Sequence, residues 1–213
     1  MTLEEQIAAL ISDIGADWIA MSAAIDAMAA VANAGGVHAR EATVASGSYL
    51  SCALNATALT TGALVANRLD LIPFQPARNI SLNQIAIEVT AGVATSLAQI
   101  GIYSTSNLEL PANLIVASGN LDCSAVGAKT SAINVNLIGG TKYWLAINSS
   151  ANQTVRMLGG ASLMPVEAPT FTATSIPTIR RVAGVNFAAG LPALAPASVP
   201  TSSSATYIRL RLA

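Results

Sequence analysis

Charged side chains make up only 10% of the 213 residues, against roughly 25% in an average soluble domain. A surface so poor in charge suits a subunit whose faces are partly covered by neighbours. Ten basic residues stand against eleven acidic ones, and no Lys/Arg block could neutralise a run of phosphates, so nucleic acid is disfavoured as a partner. His38 is the only histidine, and the two cysteines, Cys52 and Cys123, lie far apart. This set has no metal-ligand spacing. The thiols read as small buried residues, with their pairing left open. Aromatic residues are 4%, which limits stacking surfaces to a few positions. No nucleophile elbow, phosphate loop or dinucleotide fingerprint occurs. Asp70, Glu88, Glu109, Asp122 and Glu167 are too scattered for sequence to pair them as acid and base. The expectation is therefore a protein that is no enzyme, with no cofactor and no metal.

A positive mean hydropathy of +0.55 raises the question of a membrane span. The most apolar window, Ile7 to Val31, carries Asp13, Asp17 and Asp26 and lacks basic flanks. Each Asp would cost roughly 2.5–3.5 kcal/mol at the centre of an inserted helix, so membrane insertion is not expected. The acidic start, Met-Thr-Leu-Glu-Glu, also lacks a cleavable signal pattern.

What that window does contain is a narrow apolar stripe. Leu3, Ile7, Leu10 and Ile14, then Trp18, Met21, Ile25 and Met28, recur at steps of three and four, the spacing of a coiled-coil seam. The step of four from Ile14 to Trp18 is a stutter, which relaxes the supercoil locally. Thr2 with Glu5 forms a capping box at the start, and Gly35-Gly36 supplies the stop. Residues 1–34 are thus expected to be a helical coiled-coil stem, a rod of roughly 45 Å. Ile at several seam positions favours three strands, hence a homotrimer. Residues 35–48 read as a linker.

From Tyr49 to the end of the chain the apolar period becomes two. Ile85, Ile87 and Val89 alternate with Ala86 and Glu88; Ile100 and Ile102 with Gly101 and Tyr103. The same pattern runs through Ile133, Val135 and Leu137, through Tyr143, Leu145 and Ile147, and through Ile208, Leu210 and Leu212. With turn residues between the runs, this predicts a mainly β chain, an antiparallel β-sandwich or jelly roll over 49–213. Six of nine prolines fall in 159–205, read as an insertion anchored by Phe171, Val185, Phe187 and Leu191. Arg180-Arg181 would lie in that loop, and Arg209 and Arg211 on the last strand, as solvated or interface charges. Tyr143 and Trp144 are the only adjacent aromatics of this region, a candidate glycan or interface contact. The competing expectation puts Tyr143, with Leu145 and Ile147, in the core and Trp144 on the other face of the sheet or at an interface.

Several segments carry a resemblance: Tyr49-Leu50, Leu59-Thr60-Thr61-Gly62-Ala63-Leu64 leading to Asn67-Arg68-Leu69, Pro73-Phe74, Ile85 to Thr90, Gly101-Ile102-Tyr103, Lys142 to Ala146 and Arg209 to Leu212. Together they resemble the β-domain of tail or head fibre proteins from tailed-bacteriophage virions. That resemblance implies a homo-oligomeric fibre or spike subunit. Its N-terminal helix would dock on other virion proteins at a neck, portal, capsid vertex or tail. Its β-head would face the host surface, and host surface glycan is an implied partner. It implies a virion location after assembly in the host bacterial cytoplasm. A glycan-binding module and, further off, a virion-borne depolymerase are the alternatives.

Overall fold

The computed structural model describes residues 45–51, 59–159 and 177–213, together with Asp17 and Met21. In chain order the strands are β1 (Tyr49–Ser51), β2 (Leu59–Ala63), β3 (Arg68–Phe74), β4 (Ile80–Ala91), β5 (Leu97–Thr105), β6 (Pro111–Ala117), β7 (Leu121–Asp122), β8 (Gly127–Leu137), β9 (Tyr143–Ser149), β10 (Thr154–Leu158), β11 (Ile179–Ala183), β12 (Val199–Thr201), β13 (Ala205–Thr206) and β14 (Arg209–Leu212). They form two antiparallel sheets. The first runs β1-β14-β4-β10-β13, with β2 on β10 and β8 on β4. The second runs β12-β11-β3-β9-β5-β6, with β7 on β5. The chain is mainly β, as its period-two runs predict.

The alternation decides which side chains meet. Ile85, Ile87 and Val89 of β4, Val155 of β10 and Leu210 of β14 face Ile72 and Phe74 of β3, Ile100 and Ile102 of β5, and Leu145 and Ile147 of β9 in one core. Each such side chain contributes about 1.5–3 kcal/mol by leaving water. β3 does not alternate, because both of its faces are buried: Leu69 and Leu71 point away from this core into a second cluster. Pro73 is tolerated within β3 because β11 pairs only with Arg68 to Leu71. Past that point β9 is the sole neighbour, opposite Pro73 at Trp144, so the missing N–H breaks no ladder on the open side.

The second cluster gives the molecule an outer layer. Leu69, Leu71, Tyr103, Trp144 and Ala146 project from the far face of the second sheet and are covered by Val185, Leu191 and Ala195. The covering strap, residues 184–198, includes a single 3-10 turn at Phe187–Ala189. It is tied down by Tyr103 Oη donating to the Pro192 carbonyl at 2.7 Å, Asn148 Nδ2 donating to the Val185 carbonyl at 3.1 Å, and Arg180 donating to the Ser198 carbonyl at 2.7 Å. Gly101 lets the strap approach: a Cβ there would lie 2.6 Å from Leu191 Cδ1.

Two expectations need correction. The stretch 159–205 is not a loop insertion throughout: β11 and β12 both lie inside it and pair into the second sheet. Arg180 and Arg181 therefore sit on a strand, where β3 provides a ready ladder that their own polar sequence does not advertise. Val185 and Leu191 pack on this chain's own sheet. The stem residues Leu3, Ile7, Leu10, Ile14, Trp18, Ile25 and Met28 lie outside the described residues, as do His38, Cys52 and Phe171. Of the stem, Asp17 and Met21 alone are described, both helical and exposed.

Candidate contact surface at the head apex

Strand registers assign the described loops named below to one of two ends. The linker enters at β1, where Gly47 N donates to the Leu212 carbonyl at 3.0 Å and Leu212 N to the Ser48 carbonyl at 2.9 Å. Leu212 pairs with Leu82 near the start of β4, Ile80 of β4 with Leu137 at the end of β8, and Phe74 at the end of β3 with Tyr143 at the start of β9. Loops 75–79, 106–110 and 138–142 thus share the linker end. Loops 64–67, 91–96, 118–126, 150–153 and 184–188 gather at the opposite end, the apex.

The apex loops are stitched to one another. Leu64 N donates to the Gln153 carbonyl at 2.9 Å and Asn67 N to the Ser149 carbonyl at 2.8 Å. Ala66 N donates to Asn152 Oδ1 at 2.8 Å. Ser150 N reaches the Leu97 carbonyl at 2.9 Å, and Cys123 N the Ser96 carbonyl at 2.8 Å. Phe187 N donates to Asn67 Oδ1 at 2.9 Å, drawing the strap in. Asn67 and Thr95 adopt positive φ, 57° and 59°; Asn suits that left-handed turn geometry. Gly92 lies so close to the 123–127 loop that a Cβ would fall 2.1 Å from the Ser124 carbonyl oxygen. Beneath the loops, buried Ser149 donates from Oγ to Gln153 Oε1 at 2.8 Å. Turns held this way form a preorganised surface, with less ordering entropy to lose when a partner binds.

The chemistry of the two ends differs. The linker-end loops carry Arg78, Glu109 and Lys142, whereas Asp122 is the only charged residue in all five apex loops. Even that charge is drawn into its own turn: Oδ1 accepts from Ser124 N at 2.8 Å. Hydrogen bonding from Ser124 holds the Asp122 carboxyl below the usual aspartate range. Val65, Val93 and Val126 are exposed in these loops, as Leu108 and Ile138 are at the linker end, so the two ends differ in charge and not in apolar exposure. Exposed apolar residues among small polar ones, with charge depleted, make the composition of an interface core. The surface offers contact and hydrogen bonding, and no acid–base pair. Among the described residues no three His, Cys, Asp or Glu side chains converge.

Tyr143 and Trp144 are both buried. Tyr143 is 6% and Trp144 0% exposed. Tyr143 lies in the main core and its hydroxyl accepts from Ile138 N at 3.0 Å. Trp144 lies beneath the strap, with Lys142 Nζ 4.8 Å from its ring centroid. The competing expectation, Tyr143 inward and Trp144 on the other face, describes what is seen. Cys123 is buried and free, and burial pushes its thiol up from the usual range. The apex was not legible as a site: its turn segments, such as Ala91-Gly92 and Asn148 to Asn152, show in the sequence, but only the register says they share one end. No protein-family model matches the chain, and no curated protein matches its sequence.

Proposed function

We propose that this chain is a structural fibre or spike subunit of a tailed-bacteriophage particle, with a β-head of jelly-roll type on a trimeric coiled-coil stem. One observation carries the reading: the polarity of the β-region. Residues 45–48 enter β1 at the end that bears Arg78, Glu109 and Lys142, and a cross-linked, nearly uncharged loop surface lies at the other. A subunit held by its N-terminal segment presents that apex outward, to the host surface. The low overall charge favours a chain that works within an assembly. The seam from Leu3 to Met28 supports three chains, docked on virion proteins at a neck, portal, capsid vertex or tail.

The alternative, a glycan-binding module, is less favoured because its sequence candidates, Tyr143 and Trp144, are both buried. The experiment is particle adsorption with Val93→Asp and Val126→Asp together. Both side chains are exposed, so folding and incorporation should stand. Charge placed in a contact surface should slow adsorption by about tenfold or more. Unchanged adsorption by particles with normal copy number would overturn the apex as the contact surface.

A further inference from the structure

The edges of the two sheets are guarded unequally. In the second sheet, β12 is three residues long and contains Pro200. The other edge strand, β6, is held by the strap: Leu114 N donates to the Ala193 carbonyl at 2.9 Å, and Ala195 N to the Ala112 carbonyl at 2.8 Å. In the first sheet, β1 and β2 have three and five residues. β8, at the opposite edge, has eleven residues, no proline and a single charge, Lys129. Its only ladder is with β4, and among the described residues no other backbone group bonds to its backbone. β8, its flanking loops and β4 all lie within residues 59–159, which are described throughout. The chain leaves the described set next to β1, β2, β10 and β11, and none of these strands pairs with β8.

A long edge strand offers unpaired N–H and C=O groups to any other strand, and proteins blunt such edges by brevity, proline, charge or a covering segment. The other edges use the first, second and last of these devices. β8 carries one bulge, where Ile133 and Asn134 share Asn83 as partner, and this bends the strand near its middle. The bulge does not disturb the alternation of its side chains. Ala128, Thr130, Ala132, Asn134 and Asn136 are exposed on the outer face, while Ile133 and Leu137 are buried on the inner one. Between them on the inner side, Lys129, Ser131 and Val135 are only partly covered, so the rim of the core is open along this edge.

We infer that β8 pairs antiparallel with β8 of a second copy of this chain, about a two-fold axis at Ala132. That centre engages all eleven residues and keeps each face with its like. On the outer face Ala132 meets its own copy, Thr130 meets Asn134, and Ala128 meets Asn136. On the inner face Ser131 meets Ile133, and Lys129 meets Val135, so partly covered polar stems lie against apolar neighbours. The charge pattern selects a second copy as occupant. The only charged residue of the strand is set six positions from its counterpart, roughly 20 Å away, whereas like charges directly opposite would oppose pairing. Antiparallel pairing also inverts one head relative to the other. Heads mounted side by side on a particle all point the same way, so this contact belongs to the free protein and is given up on mounting. It does not rest on the proposed function, and it is separate from a parallel stem.

The test is cysteine cross-linking of the full-length protein in solution, with the unsubstituted chain as the baseline for Cys52 and Cys123. Ala132→Cys should form a disulfide with its own copy under mild oxidation, because opposed residues bring their Cα atoms within disulfide reach. Thr130→Cys and Asn134→Cys should each fail to cross-link alone and should cross-link when mixed. Ala132→Lys sets two charges opposite each other and should weaken association by about fivefold, read by sedimentation. Mixing it with Ala132→Glu should restore association. Equal self-cross-linking at Ala128, Thr130 and Ala132 would show a parallel contact and overturn the inference. So would no cross-link at Ala132 in protein with native circular dichroism. If β8 amides are then protected from exchange only in assembled particles, the occupant is a strand of another virion protein and the second copy is refuted.

Discussion

Replacing Tyr103 by Phe probes how the strap is held to the second sheet. Tyr103 is fully buried, and its hydroxyl is the polar link from that cluster to the Pro192 carbonyl, at 2.7 Å. Removing it loses one hydrogen bond and leaves a half-buried carbonyl without this donor, which costs about 1–3 kcal/mol at neutral pH. Burial pushes the phenol up to about 12 from the usual 10. The neutral form is thus favoured in the folded state. Below pH 10 both states are protonated and the contribution is fully present. Between pH 10 and 12 the unfolded chain sheds this proton first, and stability falls. Two pH units at about 1.4 kcal/mol each give a loss of roughly 3 kcal/mol. Urea denaturation of both proteins at pH 7, 9.5, 10.5 and 11.5 reads the effect, because every other titrating group is common to the two. The wild-type advantage should be about 1–3 kcal/mol at pH 7 and should shrink by about 2 kcal/mol by pH 11.5. An advantage that stays constant across that range would refute the reasoning, as would none at pH 7.

Trp144→Ala should destabilise the protein by about 3–5 kcal/mol, lowering the urea midpoint, because the ring fills the space between the second sheet and the strap. Gly92→Ala should force loops 91–96 and 123–127 apart, since the clashing atom is a backbone oxygen; hydrogen exchange at Ser96 and Cys123 should quicken while the core strands stay protected. Glu88→Gln should remove a stabilising contribution that is present above the carboxylate's unfolded range near pH 4.5 and lost as pH falls through the lower folded value. Acid denaturation followed by circular dichroism should therefore be less steep in the variant.

Strands with one buried face were legible in the sequence because their pattern is a local consequence of the pleat. Ile85, Ile87 and Val89, or Ile208, Leu210 and Leu212, need only one partner surface to produce it. β3 was not legible by period, because Arg68 to Phe74 is buried on both faces and only the strap explains the second. β11 was missed for the opposite reason: Arg180 and Arg181 are polar, and their place is set by pairing with Leu71 and Asp70. Asp70 then accepts from Arg68 at 2.9 Å and Arg181 at 3.2 Å, a network between residues over a hundred positions apart. Such long-range pairing leaves no local trace. The apex shares that property. Its residues are ordinary turn residues until register brings them together.

The central claim is that the β-region is carried by the particle with its linker end inward and its apex outward. Electron cryo-microscopy of particles assembled with this chain tests it directly. The account predicts density for three copies, each with the Arg78 and Lys142 loops toward the virion and Val65, Val93 and Val126 at the free end. Density with those valines buried against the virion, or particles lacking the chain altogether, would contradict it.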